Sequence, residues 1–241
     1  MADMRSDTRG FIHIVTLALI LLVLVGLGMA AGIMAGYLKS APSVEDVDVE
    51  ARRVLPTVVY DVNGNVLTKL KIEDRQWVRL ADIPQHLIDA VIAVEDHRFY
   101  EHHGISVRRI LGALWYDLRH LSDDQGGSTI TAQLARNVFL SHEKTISRKI
   151  WEALYAFQLE RRYTKDEILE FYLNWVYFGH GTYGVQAASN LFFGKPVDQL
   201  TLGEATLLAG IPKGNELYSP IKNEQTRQNG LNRRKIVLSR M

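Results

Sequence analysis

The chain has 241 residues, a formal net charge of +1 and no cysteine. That length holds a membrane anchor and one good-sized core, or at most two small domains. The near-neutral balance gives no footing for nucleic-acid binding, and the missing cysteines exclude disulfides, thiol nucleophiles and Cys-ligated zinc.

Residues 1–10 read as a cytoplasmic tail. Residues 11–34 carry no charged side chain and exceed the ~20 residues that cross a hydrocarbon core, which predicts a single transmembrane helix. Arg5 and Arg9 precede it, whereas Glu45, Asp46, Asp48 and Glu50 follow. The positive-inside rule then keeps the N-terminus in the cytoplasm and puts the bulk of the chain outside. A cleaved signal peptide is the competing reading, but its apolar core usually runs only ~7–15 residues. Residues 35–56 read as a polar, acidic linker. Residues 57–70 show apolar-rich runs around Asn63-Gly64, the signature of a short hairpin, with residues 76–80 expected as a third strand.

From Pro84 onward the periodicity is helical. Residues 83–95 set Leu87, Val91 and Val94 on one face, with Pro84 suited to the first turn. Glu95 and Asp96 close this helix at its C-terminus, where the dipole disfavours negative charge, beside the rings of Phe99 and Tyr100. Such a setting makes a carboxylate a tuned acid or base; the plainer reading is an ion pair with Arg98 on a solvated turn. Residues 106–121 carry Val107, Ile110, Leu111, Leu114, Trp115 and Leu118 on one stripe, for core packing or contact with a bilayer surface. The polar, Gly-containing segment 122–127 is the expected mobile loop. Thr164 with Glu167 and Thr201 with Glu204 fit capping boxes that start helices at Lys165 and Leu202, while Gly179 and Gly194 fit helix stops.

Two further clusters bear on chemistry. Gly126-Gly127-Ser128-Thr129 opens a helix containing Thr131, Gln133, Arg136 and Asn137. Its hydroxyls, free N–H groups and dipole form a candidate anion site, against the plainer reading of a loop with an N-cap. The helix over residues 143–163 buries Ile146, Ile150, Leu154 and Phe157 and leaves Arg148, Lys149 and Glu152 together on another side. That group is either an exposed ion-pair stripe or a second carboxylate framed by cations. Three patterns are decoys. Ser141 and Lys144 match Ser-x-x-Lys without a Lys-Thr-Gly partner. His97, His102 and His103 lack the spacing of a closed metal site, and no phosphate-binding or dinucleotide-binding glycine loop is present.

In this order the segments closely resemble the peptidoglycan glycosyltransferases (family 51), which occur as monofunctional enzymes and as the N-terminal module of bifunctional penicillin-binding proteins. The resemblance runs from about Pro56 to Met241. It rests on Glu95-Asp96-x-x-Phe99-x-x-His102-x-Gly104, on Gly127-Ser128-Thr129-Ile130-Thr131-x-Gln133-Leu134-x-Arg136-Asn137, and on Arg148-Lys149-x-x-Glu152. Lys165-x-x-Ile168-Leu169-Glu170-x-Tyr172-Leu173-Asn174 with Tyr177-Phe178-Gly179, and Tyr183-Gly184-Val185 through Phe193-Gly194-Lys195, agree as well.

The resemblance implies a mainly α fold, with a lysozyme-like helical large lobe and a small membrane-facing lobe, in a domain over residues 57–241. It implies lipid II as substrate and polymerisation into glycan strands by inverting β-1,4 transfer, with release of polyprenyl pyrophosphate. Glu95 would be the general base on the acceptor 4-hydroxyl and Glu152 the second catalytic carboxylate near the leaving group. Asp96, Phe99, His102, Ser128, Thr129, Gln133, Arg136, Asn137, Arg148 and Lys149 would bind substrate, the cations neutralising pyrophosphate. No cofactor is obligatory; a divalent cation, Mg or Mn, near Glu152 is an optional addition. The implied partners are lipid II, the growing glycan chain, the bilayer and other cell wall synthases or division proteins. The implied location is the bacterial cytoplasmic membrane, with the catalytic domain on its outer, periplasmic side. An activated pyrophosphate also suits a compartment without nucleoside triphosphates.

The runner-up readings are a glycan-cleaving, lysozyme-like enzyme and an inactive scaffold binding lipid II or a synthase. Several positions depart from the family pattern: Ala132 for Gln, Arg136 for Lys, Gln186 for Glu, and the wording of residues 211–220. Arg136 keeps charge but changes a point into a fork, and Ala132 removes a hydrogen-bonding group. The chain stops at Met241, near the end of the matched region, so it is either monofunctional or a piece of a bifunctional protein; the first is the expectation, polymerising glycan without cross-linking peptides.

Overall fold

The structure, a computed structural model, describes residues 4–41, 43, 45, 48–50, 57–70, 74–106, 128–140 and 145–241. The expected helix over 107–121, the loop 122–127 and the decoy at 141–144 lie outside these residues. The chain divides into two compact units, Met1–Ala41 and Pro42–Met241.

The first unit is one helix, α1 (Met4–Lys39), which runs past the predicted span at both ends. Within its stretch His13–Lys39 an 18-residue segment has a mean hydropathy of 2.8 and no protein cover. Ile14, Leu17, Leu21, Leu22 and Leu27 are all more than half exposed. A helix satisfies its own backbone groups in hydrocarbon, and these 27 residues reach about 40 Å at ~1.5 Å each, beyond the ~30 Å apolar core.

The second unit is mainly α. It begins with the expected hairpin, β1 (Thr57–Tyr60) antiparallel to β2 (Val66–Leu70). Asp61 holds the turn by accepting at Oδ1 from the backbone N–H groups of Asn63 and Asn65, each at 2.8 Å. The expected third strand over 76–80 is corrected. A shorter strand, β3 (Asp74–Arg75), pairs in parallel with β5 (Thr182–Tyr183), which lies antiparallel to β4 (Tyr177–Gly179).

The helices of this unit are α2 (Gln85–Glu95), α3 (Ile130–Phe139), α4 (Ile146–Arg162), α5 (Lys165–Trp175), α6 (Val185–Phe193), α7 (Leu202–Gly210) and α8 (Glu224–Arg240). Residues 76–80 are withheld from a sheet because α5 takes their polar groups. Glu170 accepts from Trp77 Nε1 at 3.0 Å and from Leu80 N at 2.8 Å. Asn174, one turn on, accepts from Val78 N at 2.9 Å and donates to Val78 O at 2.8 Å. Buried backbone groups need partners, and side chains at i and i+4 of a helix can supply them as well as a strand can.

Helix α2 packs on α7 and α8, while α3 packs on α4 and α5. Leu87, Phe99, Ile130, Leu134, Leu159 and Leu169 are fully buried in one shared core. Both capping boxes form: Thr164 N donates to Glu167 at 2.7 Å and Thr201 N to Glu204 at 2.8 Å. Gly194 ends α6 with φ at 67°, as expected of a left-handed stop. Gly179 is no helix stop, since α5 has already ended at Trp175 and Gly179 lies in β4. Part of the linker joins the core: Val49 is fully buried and donates its N–H to Tyr163 Oη, and Asp48 pairs with Arg162 at 3.0 Å.

Candidate active site

Glu95 is the last residue of α2, a position set by the apolar face of Leu87, Val91 and Val94 that seats the helix on the core. Its Oε2 accepts from Gln133 Nε2 at 2.9 Å. Its Oε1 is buried with no partner among the described residues. Gln133 is held in turn by Tyr172, whose Oη donates to Gln133 Oε1 at 3.3 Å. Burial and the nearby Glu95 charge push the Tyr172 phenol well above its ordinary value, against a smaller opposing effect of Arg136, so it stays a donor at neutral pH. Gln133, Arg136 and Asn137 share one face of α3 by their spacing, and all three are partly exposed.

Asp96 works differently. Its carboxylate is 1 % exposed, accepts from Ile130 N at 3.1 Å, and lies 2.8 Å from His102 Nε2. It thereby ties the end of α2 to the start of α3. Thr129 N-caps α3 by accepting from Ala132 N at 3.1 Å, and its hydroxyl donates to Gly104 O at 2.5 Å. Gly104 has φ at 81°, and a Cβ there would meet Ala156 O at 2.9 Å. Only glycine fits both demands. Phe99 is fully buried beneath Lys165, whose Nζ stands 4.4 Å from the ring centre and 2.7 Å from Glu160. Thr131 donates to the same Glu160 oxygen at 2.6 Å.

These contacts revise the anion-site reading of the Gly-Ser-Thr turn. Ile130 N and Ala132 N at the head of α3 are consumed by Asp96 and Thr129. The described residues also bring positive side-chain charge to that end. On α4, Glu152 is buried between Arg148 and Lys149, with Lys149 Nζ 2.7 Å from Oε2 and Arg148 on Oε1. Lys149 also donates to Ser128 Oγ at 3.1 Å, which joins α4 to the start of α3. Arg148 is nearly buried and its Nε has no partner among the described residues, whereas Lys149 is half exposed.

The expected site residues therefore fall into three groups. Glu95 and Gln133, with Arg136 and Asn137 beside them, form a partly open carboxylate site. Ser128, Arg148, Lys149 and Glu152 form a cationic group at the other end of α3. Asp96, Phe99, His102 and Thr129 are packed beneath, where they hold the turn and offer a ligand little or no surface. A divalent cation does not fit at Glu152, because each of its oxygens already has a cationic partner and a metal would sit against both. Among the described residues no cluster of three or more His, Cys, Asp or Glu is placed to hold a metal ion.

Sequence reasoning missed Tyr172 as the support of Gln133, the Glu160 junction, and the arginines of α8. Arg240 donates to Val94 O at 3.4 Å, and Arg233 is buried near Glu95. The signal was present: Arg233, Val237 and Arg240 repeat at helical spacing, with a charged residue at each end of an apolar one.

The family model described as Transglycosylase matches residues 63–241. Penicillin-binding protein 2D of Bacillus subtilis is 50 % identical over 169 residues, covering 70 % of this chain and 24 % of that protein. Penicillin-binding protein 1A of Escherichia coli is 42 % identical over 221 residues, covering 91 % and 25 %. A crystal structure of penicillin-binding protein 1A from Haemophilus influenzae aligns with a TM-score of 0.41 and 26 % identity, covering 78 % of this chain and 18 % of that one. The chain thus spans about a quarter of the length of the curated relatives it matches. With the family model covering most of its length, the chain belongs to the transglycosylase family, family 51 of the glycosyltransferases.

Proposed function

We propose that this protein polymerises lipid II into peptidoglycan glycan strands. The observation that carries the reading is Glu95, with one carboxylate oxygen fixed by Gln133 and the other unpartnered, in the same helical unit as the Arg148, Lys149 and Glu152 group.

In this reaction Glu95 Oε1 takes the proton of the acceptor sugar's 4-hydroxyl. The oxygen attacks the donor's anomeric carbon from the face opposite the leaving group, and the bond from that carbon to phosphate breaks. The electron pair leaves on the polyprenyl pyrophosphate, and the anomer is inverted to a β-1,4 link. A general base must reach its proton within hydrogen-bond distance, and Gln133 fixes Glu95 for that. Arg148, Lys149 and Arg136 neutralise the charge growing on pyrophosphate, while Glu152 keeps the first two in place.

Helix α1 anchors the enzyme in the bacterial cytoplasmic membrane, with the N-terminus inside and the catalytic unit on the outer side, where a lipid-linked donor is presented. Partners are lipid II, the growing strand, the bilayer and other cell wall synthases. Purified full-length protein given lipid II in detergent should yield polymer and free polyprenyl pyrophosphate. Shortened glycan from added strands would instead favour a cleaving enzyme, and binding without product a scaffold.

A further inference from the structure

Helix α5 serves different neighbours from opposite faces. Glu170 and Asn174, four residues apart, reach residues 77–80, whereas Tyr172, half a turn from each, reaches α3. Tyr172 is 1 % exposed, so its ring is core and offers a substrate no surface. A phenol in such a place needs a partner for its hydroxyl, because a buried donor left unmade is costly. The partner is Gln133 Oε1 at 3.3 Å.

The two ends of the Gln133 carboxamide are chemically opposite: the oxygen only accepts and the nitrogen only donates. With Oε1 on the Tyr172 hydroxyl, Nε2 is turned to Glu95 Oε2 at 2.9 Å, where donation to a carboxylate is charge-assisted. Flipped, the amide would set its oxygen against the carboxylate, two acceptors face to face. Gln133 is itself partly exposed, so without the phenol its long side chain is tied at one end only. The direction of Glu95 Oε1, buried and without a partner among the described residues, follows from how firmly Oε2 is held.

We propose that Tyr172 is a positioning residue for the transfer reaction: its hydroxyl locks the Gln133 carboxamide with Nε2 towards Glu95, and so aims the Glu95 oxygen that takes the proton. It acts through two hydrogen bonds in series, from α5 to α3 and from α3 to the end of α2. The inference rests on Glu95 being the base.

The test compares wild type and Tyr172→Phe as full-length protein in detergent, by thermal melting, lipid II turnover and nuclear magnetic resonance of isotope-labelled glutamine side chains. Phenylalanine keeps the ring in the core and removes one oxygen. The Gln133 amide signals are assigned by their loss in Gln133→Met. Tyr172→Phe should melt close to wild type and keep its KM, while kcat falls about tenfold, the scale on which loosened aim costs rate. One Gln133 amide proton, displaced by the carboxylate in wild type, should move in Tyr172→Phe towards the position of a freely rotating amide. Full kcat in Tyr172→Phe overturns the proposal. So does a lowered kcat with unmoved Gln133 signals, which would assign the loss to packing. A wild type that makes no polymer overturns the underlying reading of function instead, and is recognised before the variant is compared.

Discussion

A carboxylate serves as a base when one oxygen is aimed and the other is left to react. Glu95 meets that condition through Gln133, whereas Glu152 does not, since Arg148 and Lys149 occupy both of its oxygens. The same family motif thus contains residues of different kinds. In the proposed reaction Glu95 is the base, and its neighbours Asp96, Phe99, His102 and Gly104 build the turn next to it. Gly104 gives a sharp check on this division. An alanine there meets both a positive φ and the Ala156 carbonyl, so Gly104→Ala should destabilise the fold by about 2 kcal/mol or more. Thermal melting measures it; an unchanged melting temperature would show that the turn is not held as described.

At the scale of elements, local rules were the most legible in the sequence. The capping boxes of α5 and α7 start where Thr164 and Thr201 place them, because N-caps depend only on near neighbours. The hairpin at Asn63-Gly64 forms for the same reason. The failures were at long range. Residues 76–80 alternate like a strand, yet Glu170 and Asn174 of α5 take their backbone groups, and no pattern within the segment shows that. Gly179 resembles a helix stop but serves a strand, and the described part of the acidic linker hides a core residue, Val49. In the candidate site, Glu95, Gln133 and the Glu152 group were legible as motifs. Tyr172 was not, because its contact with Gln133 depends on packing between helices distant in sequence. One capping box also gives a pH prediction. Hydrogen bonds from Lys195 and then Thr201 hold Glu204 down to about 2 from 4.5. A lowered carboxyl pKa stabilises the fold above the unfolded value and loses that effect as pH falls through the folded one. Glu204→Gln should therefore cost about 1 kcal/mol at pH 7, a modest amount for a group near the surface, and the difference should shrink between pH 4.5 and about 2. Melting curves at several pH values check it; a difference independent of pH would assign the effect to packing.

For the whole molecule, the division into a lone apolar helix and a unit with its own core makes that helix, the proposed anchor, separable in principle. Removing residues 1–41 should leave the melting temperature of the catalytic unit unchanged and lower turnover of vesicle-borne lipid II by about tenfold, while detergent-dispersed substrate is affected less. Equal rates on vesicles would remove the anchor from substrate presentation. The central claim concerns Glu95, and it is tested most directly by measuring lipid II binding and polymerisation side by side in Glu95→Gln. Gln133 can hold a glutamine as it holds the carboxylate, so binding should stay within about twofold of wild type while polymer formation is abolished. Polymerisation at an appreciable fraction of the wild-type rate would contradict Glu95 as the base.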